Sequence, residues 1–470
     1  MNPSGARAAE QTMLLSPARE GDAELGRSTL RKAGWRLIPL LSVCYAVAFM
    51  DRANVSYAAL QMNRDLHFNA GVYGFGAGVF FLSYAACELP SSFLLLRFGA
   101  RRWIARIMLT WGLLAAAMTL ARSPATFYTL RFLLGMAEAG FFPGVIYYLS
   151  LWFPHEMRSR AISRFYIAFP LSNVLMGLIA GSLLQLNGRL GMKGWQWLFL
   201  VEALPAIVLS VVVLRALPDG PETAAWLEPA ERAWLLAKLE EDRVAGGFGP
   251  QGSHAGLWAV LTDVKVALLG LFFLCVLGAS YAYSFSAPAI LVAVTGWSGG
   301  RAGFLLAAIA MLGAGAMVVV AQLSDRWGVR RPILMVLALL SGAGYLVGGL
   351  GHSAWVVVPA LTVATVAFFG MQGPALALIT TFLSGPTAAM GIAAVNMFAI
   401  VGGFVGPNWM GWEITRTGDY RWGLSLLGLP CLVAAAACFL LGSGRSGNGD
   451  GSAPARSLTA AKRVRGKASG

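Results

Sequence analysis

The chain is short of charge. Asp, Glu, Lys and Arg make up 12% of its 470 residues, against roughly one-quarter in a soluble globular protein. Hydrophobic residues make up 57%, and the mean hydropathy is +0.65. Only a polytopic membrane protein fits that balance well. Acidic residues are scarcer than basic ones, 22 against 36, for a net charge of +14. In a soluble chain this would suggest nucleic acid. Here much of the excess falls in loops and tails, where membrane topology explains it, and nucleic acid is not expected as a partner. Histidine is rare: His67, His155, His254 and His352 are scattered through expected loops. The five cysteines lie in apolar runs without metal-ligand spacing and read as small packing residues. No metal site and no cofactor is expected. No His-Glu-x-x-His, nucleophile–His pair or phosphate-binding Gly-Lys motif supports an enzyme. The polar N-terminus argues against a cleaved secretory signal.

What the chain has instead is apolar runs. Spans are expected near 35–57, 72–95, 103–121, 125–150, 161–186 and 195–216. Six more fall near 266–293, 302–323, 333–351, 355–380, 387–411 and 422–442. Each is long enough to cross a bilayer, some with tilt. The domain plan is a polar, disordered cytosolic tail over 1–34 and a six-helix bundle over 35–216. A linker over 217–265, a second bundle over 266–442 and a disordered tail over 443–470 complete it. The linker carries a surface helix with Pro229 in its first turn. Its Trp226, Trp234 and Leu235 are expected against the membrane face, and 246–256 continues it as a flexible stretch. Twelve spans put both termini on one side. The short loops after spans 2, 4 and 8 carry ten basic residues, while all six loops opposite carry seven. Positive charge stays inside, so both termini are expected in the cytoplasm, although the loop after span 10 has no basic residue.

The halves repeat. LRFGARRW at 96–103 follows span 2, and DRWGVRRP at 325–332 follows span 8. Arg97, Gly99, Arg101 and Arg102 align with Arg326, Gly328, Arg330 and Arg331 at one offset, with Asp325 beside the second set. Glycine permits a tight cytoplasmic turn, and arginines can meet helix C-termini. Two related halves suit a carrier that exposes a site between them to each side in turn.

The stretch RFLLGMAEAGFFPG, 131–144, places Arg131 and Glu138 about two helical turns apart on one face. Charge in hydrocarbon is costly and faces a cavity or a partner. Asp51 and Arg52 sit in the first span, some five residues from its expected outer end, and Arg131 lies about six from the outer end of span 4. At similar depth, the two arginines can grip one anion together through bidentate bonds. Asp51 and Glu138 can take protons that arginine cannot release, so an arriving anion that occupies Arg52 or Arg131 frees a carboxylate to protonate. The competing reading is that fixed ion pairs hold this half together. Glu88 reads as cytoplasmic-side gating or packing, and Glu202 as structural. The second half has almost no buried charge and offers Tyr281, Tyr283, Ser284, Gln372, Thr380, Thr381 and Asn396.

These residues and their neighbours resemble the major facilitator superfamily, and within it the bacterial anion:cation symporter family of tartrate, galactonate, phthalate and hydroxyphenylacetate permeases. The resemblance lies in AFMDRANVSYA (48–58), LRFGARRWIAR (96–106), RFLLGMAEAGFFPG (131–144), YLSLWFP (148–154), KGWQWLFLVEALPA (193–206), TFLSGPTAAMGIAAVN (381–396) and GGFVGP (402–407). It implies twelve transmembrane helices in two pseudo-symmetric six-helix bundles. It also implies proton-coupled uptake of a small organic anion across a bacterial inner membrane by a monomer. On the matching positions it implies proton coupling by Asp51 and Glu138, substrate binding by Arg52 and Arg131, and a site role for Tyr84. The chain departs from the family where a tryptophan often follows the Gly-Pro of span 10, here Leu376, and where Gly-Asn often precedes the GGF of span 11, here Ala399 and Ile400. Both departures favour a smaller or more apolar acid over a polyol. Organic phosphate exchange is a weaker reading, since 266–293 holds no arginine. Uniport or exchange of the same substrate, an intramembrane acid/base enzyme and a transporter-like sensor are the other readings.

Overall fold

Among the described residues, twelve helical segments are long and apolar enough to cross a membrane, in the order and close to the positions expected. The computed structural model describes residues 17–245, 263–382 and 388–443. The first half comprises α1 (Pro17–Asp65), α2 (Ala70–Phe98), α3 (Ala100–Ala117), α4 (Pro124–Glu138), α5 (Phe141–Ser150), α6 (His155–Tyr166), α7 (Ala168–Leu184) and α8 (Gly194–Ala216). After the linker helix α9 (Pro229–Ala245) come α10 (Val264–Thr295), α11 (Gly299–Trp327), α12 (Arg330–Leu350), α13 (Ala354–Phe382), α14 (Ala388–Thr417), α15 (Arg421–Leu426) and α16 (Gly428–Ser443). Local chemistry starts these helices. Asn69 caps α2, Ser298 caps α11, and Ser123 with Thr126 closes a capping box ahead of Pro124 in α4.

Three expectations about boundaries are corrected. The N-terminal tail does not stay irregular to residue 34, because α1 already begins at Pro17. The first span also runs on to Asp65 rather than ending near 57, which moves Asp51 and Arg52 inward from the rim. The fourth span is not one helix: α4 stops at Glu138, Gly140 takes φ 86°, and α5 restarts at Phe141. Gly140 is needed twice, for that left-handed backbone and because a Cβ would overlap Ser91. Ser91 Oγ donates to the Ala139 carbonyl at 2.7 Å, which satisfies a group the break would leave open.

The linker helix docks on the first half, not on a membrane face. Trp234 covers Gly26, Leu235 is fully buried, and Trp226 stacks on Trp152 with ring centroids 5.3 Å apart. Lys32 Nζ meets Glu231 Oε2 at 2.8 Å, and His155 N donates to Asp242 Oδ2 at 2.6 Å. The stretch expected to be flexible over 246–256 and the C-terminal tail beyond Ser443 lie outside the described residues.

Both loop repeats turn on a positive-φ glycine, Gly99 at φ 84° and Gly328 at φ 65°, but with different ψ, 145° against 11°. Arg101 reaches the carbonyl of Leu217, the C-cap of α8, and pairs with Asp219 at 2.9 Å. Arg330 donates to the Ala377 carbonyl and stands 3.8 Å from Asp325. Arg97 lies over Phe98, while Arg102 and Arg326 are exposed and Arg331 is half-buried.

The halves meet at the end away from the linker. A Cβ on Gly181 would overlap the Gly300 backbone, so α7 and α11 approach as closely as backbones can. Tyr73 Oη donates to the Phe285 carbonyl at 2.7 Å, and Gly71 N to Thr415 Oγ1 at 2.8 Å. With that end shut, the space between the halves opens toward the linker end.

Candidate functional site

The space between the halves is a cavity of about 1130 Å³. Its charged lining among the described residues is Arg52, Glu88, Glu138 and Arg158, all from the first half. Arg52 approaches Glu138 Oε1 at 2.6 Å through both Nε and Nη2. Glu138 is fully buried, and the Arg52 side chain is 15% exposed. The pair comes from two helices at matched depth. Arg52 lies 13 residues from the end of α1 and Glu138 lies 14 from the start of α4, each about 20 Å along its axis. Phe49, Phe80 and Tyr84 ring the guanidinium at 5.0, 5.6 and 4.9 Å, so it is held by π-faces as well as by the carboxylate. Glu138 Oε2 has no hydrogen-bond partner among the described residues.

Arg131 does not join this group. It lies only seven residues into α4, about 10 Å along the axis and so about 10 Å short of Arg52 in depth. Its guanidinium turns into α2, donates to the Gly76 and Ala77 carbonyls at 3.3 and 3.4 Å, and sits over Phe80 at 4.8 Å. It is 1% exposed and does not line the cavity. The expected two-arginine clamp is therefore not assembled in this structure, and Glu138 pairs with Arg52 rather than with its own helix neighbour. Asp51 is also away from the cavity. It is 1% exposed, with Oδ1 accepting from Asn54 Nδ2 at 3.2 Å and Oδ2 unpartnered.

Tyr84, Tyr281, Tyr283, Ser284, Gln372 and Asn396 all line the cavity. The side chains of Thr380 and Thr381 lie outside the described residues. Asn396 Nδ2 donates to both oxygens of Glu88 at 3.1 Å, a contact between halves on the linker side of the Arg52–Glu138 pair. Tyr166 Oη comes within 3.5 Å of Gln372 Oε1, the other such polar contact at this level. Sequence reasoning missed several lining residues: Tyr45, Phe49, Tyr166, Phe169, Phe369 and Arg158. An aromatic in a membrane helix looks like packing until its face is known, so their only sequence signal is abundance. Asn54 was missed too, although its spacing of three from Asp51 was available. Leu376, Ala399 and Ile400, the positions that depart from the family pattern, all line the cavity.

The arrangement offers Arg52 to one arriving carboxylate, which competes with Glu138 for the guanidinium donors. It surrounds that point with rings and aliphatic surface from both halves.

The description Major Facilitator Superfamily matches residues 41–407. The chain is 40% identical over 436 residues, 92% of its length and 96% of the relative's, to a protein of Agrobacterium vitis named "Putative tartrate transporter". It is 35% identical over 415 residues, 88% of its length and 95% of the relative's, to the "Quinolone resistance transporter" of Acinetobacter baumannii. Among solved structures, it is similar to a bacterial homolog of the human lysosomal transporter Spinster in an inward-facing, occupied conformation. That match has a TM-score of 0.70 at 16% identity, covering 86% of this chain and 96% of the other.

Proposed function

We infer that this chain, which belongs to the Major Facilitator Superfamily, takes up a small organic anion together with protons across the bacterial inner membrane. It is a secondary transporter and not an enzyme. The observation that carries the reading is the Arg52–Glu138 pair, buried at matched depth in the first half yet facing the cavity that opens at one end.

The chemistry follows from competition for one cation. A carboxylate arriving at Arg52 takes over bonds now made by Glu138, and a buried glutamate left without its counter-ion binds a proton. The loaded site is then neutral overall and free to reorient. Loss of the proton restores the ion pair and expels the anion. Arg131, held on backbone carbonyls, supports this wall electrostatically without touching the substrate in the conformation described.

The cavity favours an acid with one carboxylate and a flat or apolar body. Arg52 and Arg158 are its basic lining residues among those described, and Arg158 stands near the linker, in the helix whose first residue, His155, donates its backbone N–H to Asp242. Rings from both halves offer stacking, beside hydroxyls and amides such as those of Ser284, Gln372 and Asn396. Of the two relatives, the one named for tartrate suggests a hydroxy diacid and the one named for quinolones a planar compound. The lining agrees better with the planar class.

Proteoliposomes with an inward proton gradient test this. Labelled hydroxyphenylacetate, phthalate, tartrate and galactonate are offered with and without protonophore. Accumulation of an aromatic acid that collapses with protonophore is expected. Saturable flux indifferent to protonophore would reduce the pair to a binding device and favour exchange or uniport.

A further inference from the structure

Behind the Arg52–Glu138 pair, away from the cavity, lies a second buried acidic group. Glu202 of α8 is 4% exposed, and neither of its carboxyl oxygens has a hydrogen-bond partner among the described residues. Asn54 of α1 is fully buried and its Oδ1 is also unpartnered. Asn54 Nδ2 donates to Asp51 Oδ1 at 3.2 Å, and the same amide lies beside the Glu202 carboxyl. Every orphaned atom here is therefore an acceptor: Asp51 Oδ2, Asn54 Oδ1 and both oxygens of Glu202. A site made only of acceptors, closed to water, lacks a positive charge or a proton.

Among the described residues, the neighbours supply no cation at Glu202. Asp51 faces Arg131, Arg52 and Glu138, whereas Glu202 faces Asp51, Asn54 and Tyr57. On α3, packed beside α8, Gly112 meets Ile207, so Arg106 lies well toward the linker end. The adjoining α7 carries no ionisable side chain. Two carboxylates sharing one buried amide cannot both be ionised at acceptable cost.

We propose that Glu202 is a proton-binding site coupled to Asp51 through the Asn54 amide. The Glu202 hydroxyl donates to Asn54 Oδ1. This fixes the amide with Nδ2 toward Asp51, which stays ionised beside Arg131. When the proton passes instead to Asp51, the amide reverses: Nδ2 serves Glu202, and the Asp51 hydroxyl donates to Oδ1. One carboxyl of the two is always protonated, and the amide reports which. The pair can thus set the proton state of Asp51 from a position the transported anion never reaches.

This extends the proposed proton coupling, but the test reads the carboxyl itself and no transport, so either can fail alone. The full chain in liposomes is titrated by infrared spectroscopy, following the carbonyl stretch of protonated carboxylic acids and its shift in deuterium oxide. A band present at neutral pH is expected to vanish in Glu202→Gln. In Asn54→Leu, which keeps the acid but removes its acceptor, the band is expected to persist at higher frequency. In Asp51→Asn its titration should move. A band that survives intact in Glu202→Gln, together with no frequency change in Asn54→Leu, would overturn the proposal. So would its loss when sodium replaces potassium, because a metal ion rather than a proton would then fill the acceptors.

Discussion

The two halves share a fold and a loop repeat, yet they divide the work of the cavity unequally. Among the described residues, the first half supplies all four charged lining residues, Arg52, Glu88, Glu138 and Arg158. The second supplies amides, hydroxyls, rings and aliphatic surface, with Gln372, Asn396, Tyr281 and Phe369 among them. A pseudo-symmetric scaffold therefore does not require a symmetric site. Charge confined to one wall lets the opposite wall move without breaking an ion pair. The second half needs only complementary shape and a few hydrogen bonds, which form and break at about 1 kcal/mol each.

Arg52→Gln should break the contrast most deeply. It removes the cation on which both partners depend and leaves Glu138 buried alone, a loss of about 3–5 kcal/mol. Uptake should fall by on the order of 100-fold or more, measured as initial rate in proteoliposomes. Uptake near the wild-type rate would move substrate binding away from the charged wall. Next comes Glu138→Gln, which keeps the shape but not the proton chemistry. Proton-driven accumulation should disappear while exchange of preloaded anion persists, and full accumulation by this variant would end the competition scheme. On the neutral wall, Tyr281→Phe should be mild. Loss of one hydroxyl is worth about 1 kcal/mol, roughly a five-fold rise in KM at unchanged kcat. An effect as large as that of Arg52→Gln would mean that the second half carries the site.

The smallest effect concerns the linker helix, which docks on the first half. Burial tends to raise the Glu231 carboxyl, but the Lys32 ammonium and the Glu228 amide outweigh it and hold the group below its ordinary value. A depressed carboxyl stabilises docking at neutral pH, and that contribution is lost as pH falls through the depressed value. Amide hydrogen exchange over 229–245, corrected for the intrinsic pH effect, should therefore speed up in acid. Lys32→Ala should show less of that acid sensitivity.

Much of the plan was legible in the sequence because hydropathy and turn chemistry are local. The twelve spans, the turns at Gly99 and Gly328, and the candidate charges Asp51, Arg52 and Glu138 follow from residue types and spacing along one chain. Arg131 shows where that reasoning stops. Seven residues from Glu138 on one helix face, it looked like a partner at the same site, but α2 offers it two carbonyls at a different depth. The same limit hid the aromatic lining, since no periodicity tells which ring faces a cavity.

The sequence by itself determined that this chain crosses a membrane twelve times in two related halves, with most of its rare buried charges in the first. A charge in hydrocarbon is too costly to be accidental, so its presence is informative before any contact is known. Only the tertiary structure decided that Glu138 answers to Arg52, that Arg131 retreats into α2, and that the Asn54 amide lies beside both Asp51 and Glu202. Those pairings depend on how far each helix slides along its neighbours, a register set by packing between segments distant in the chain.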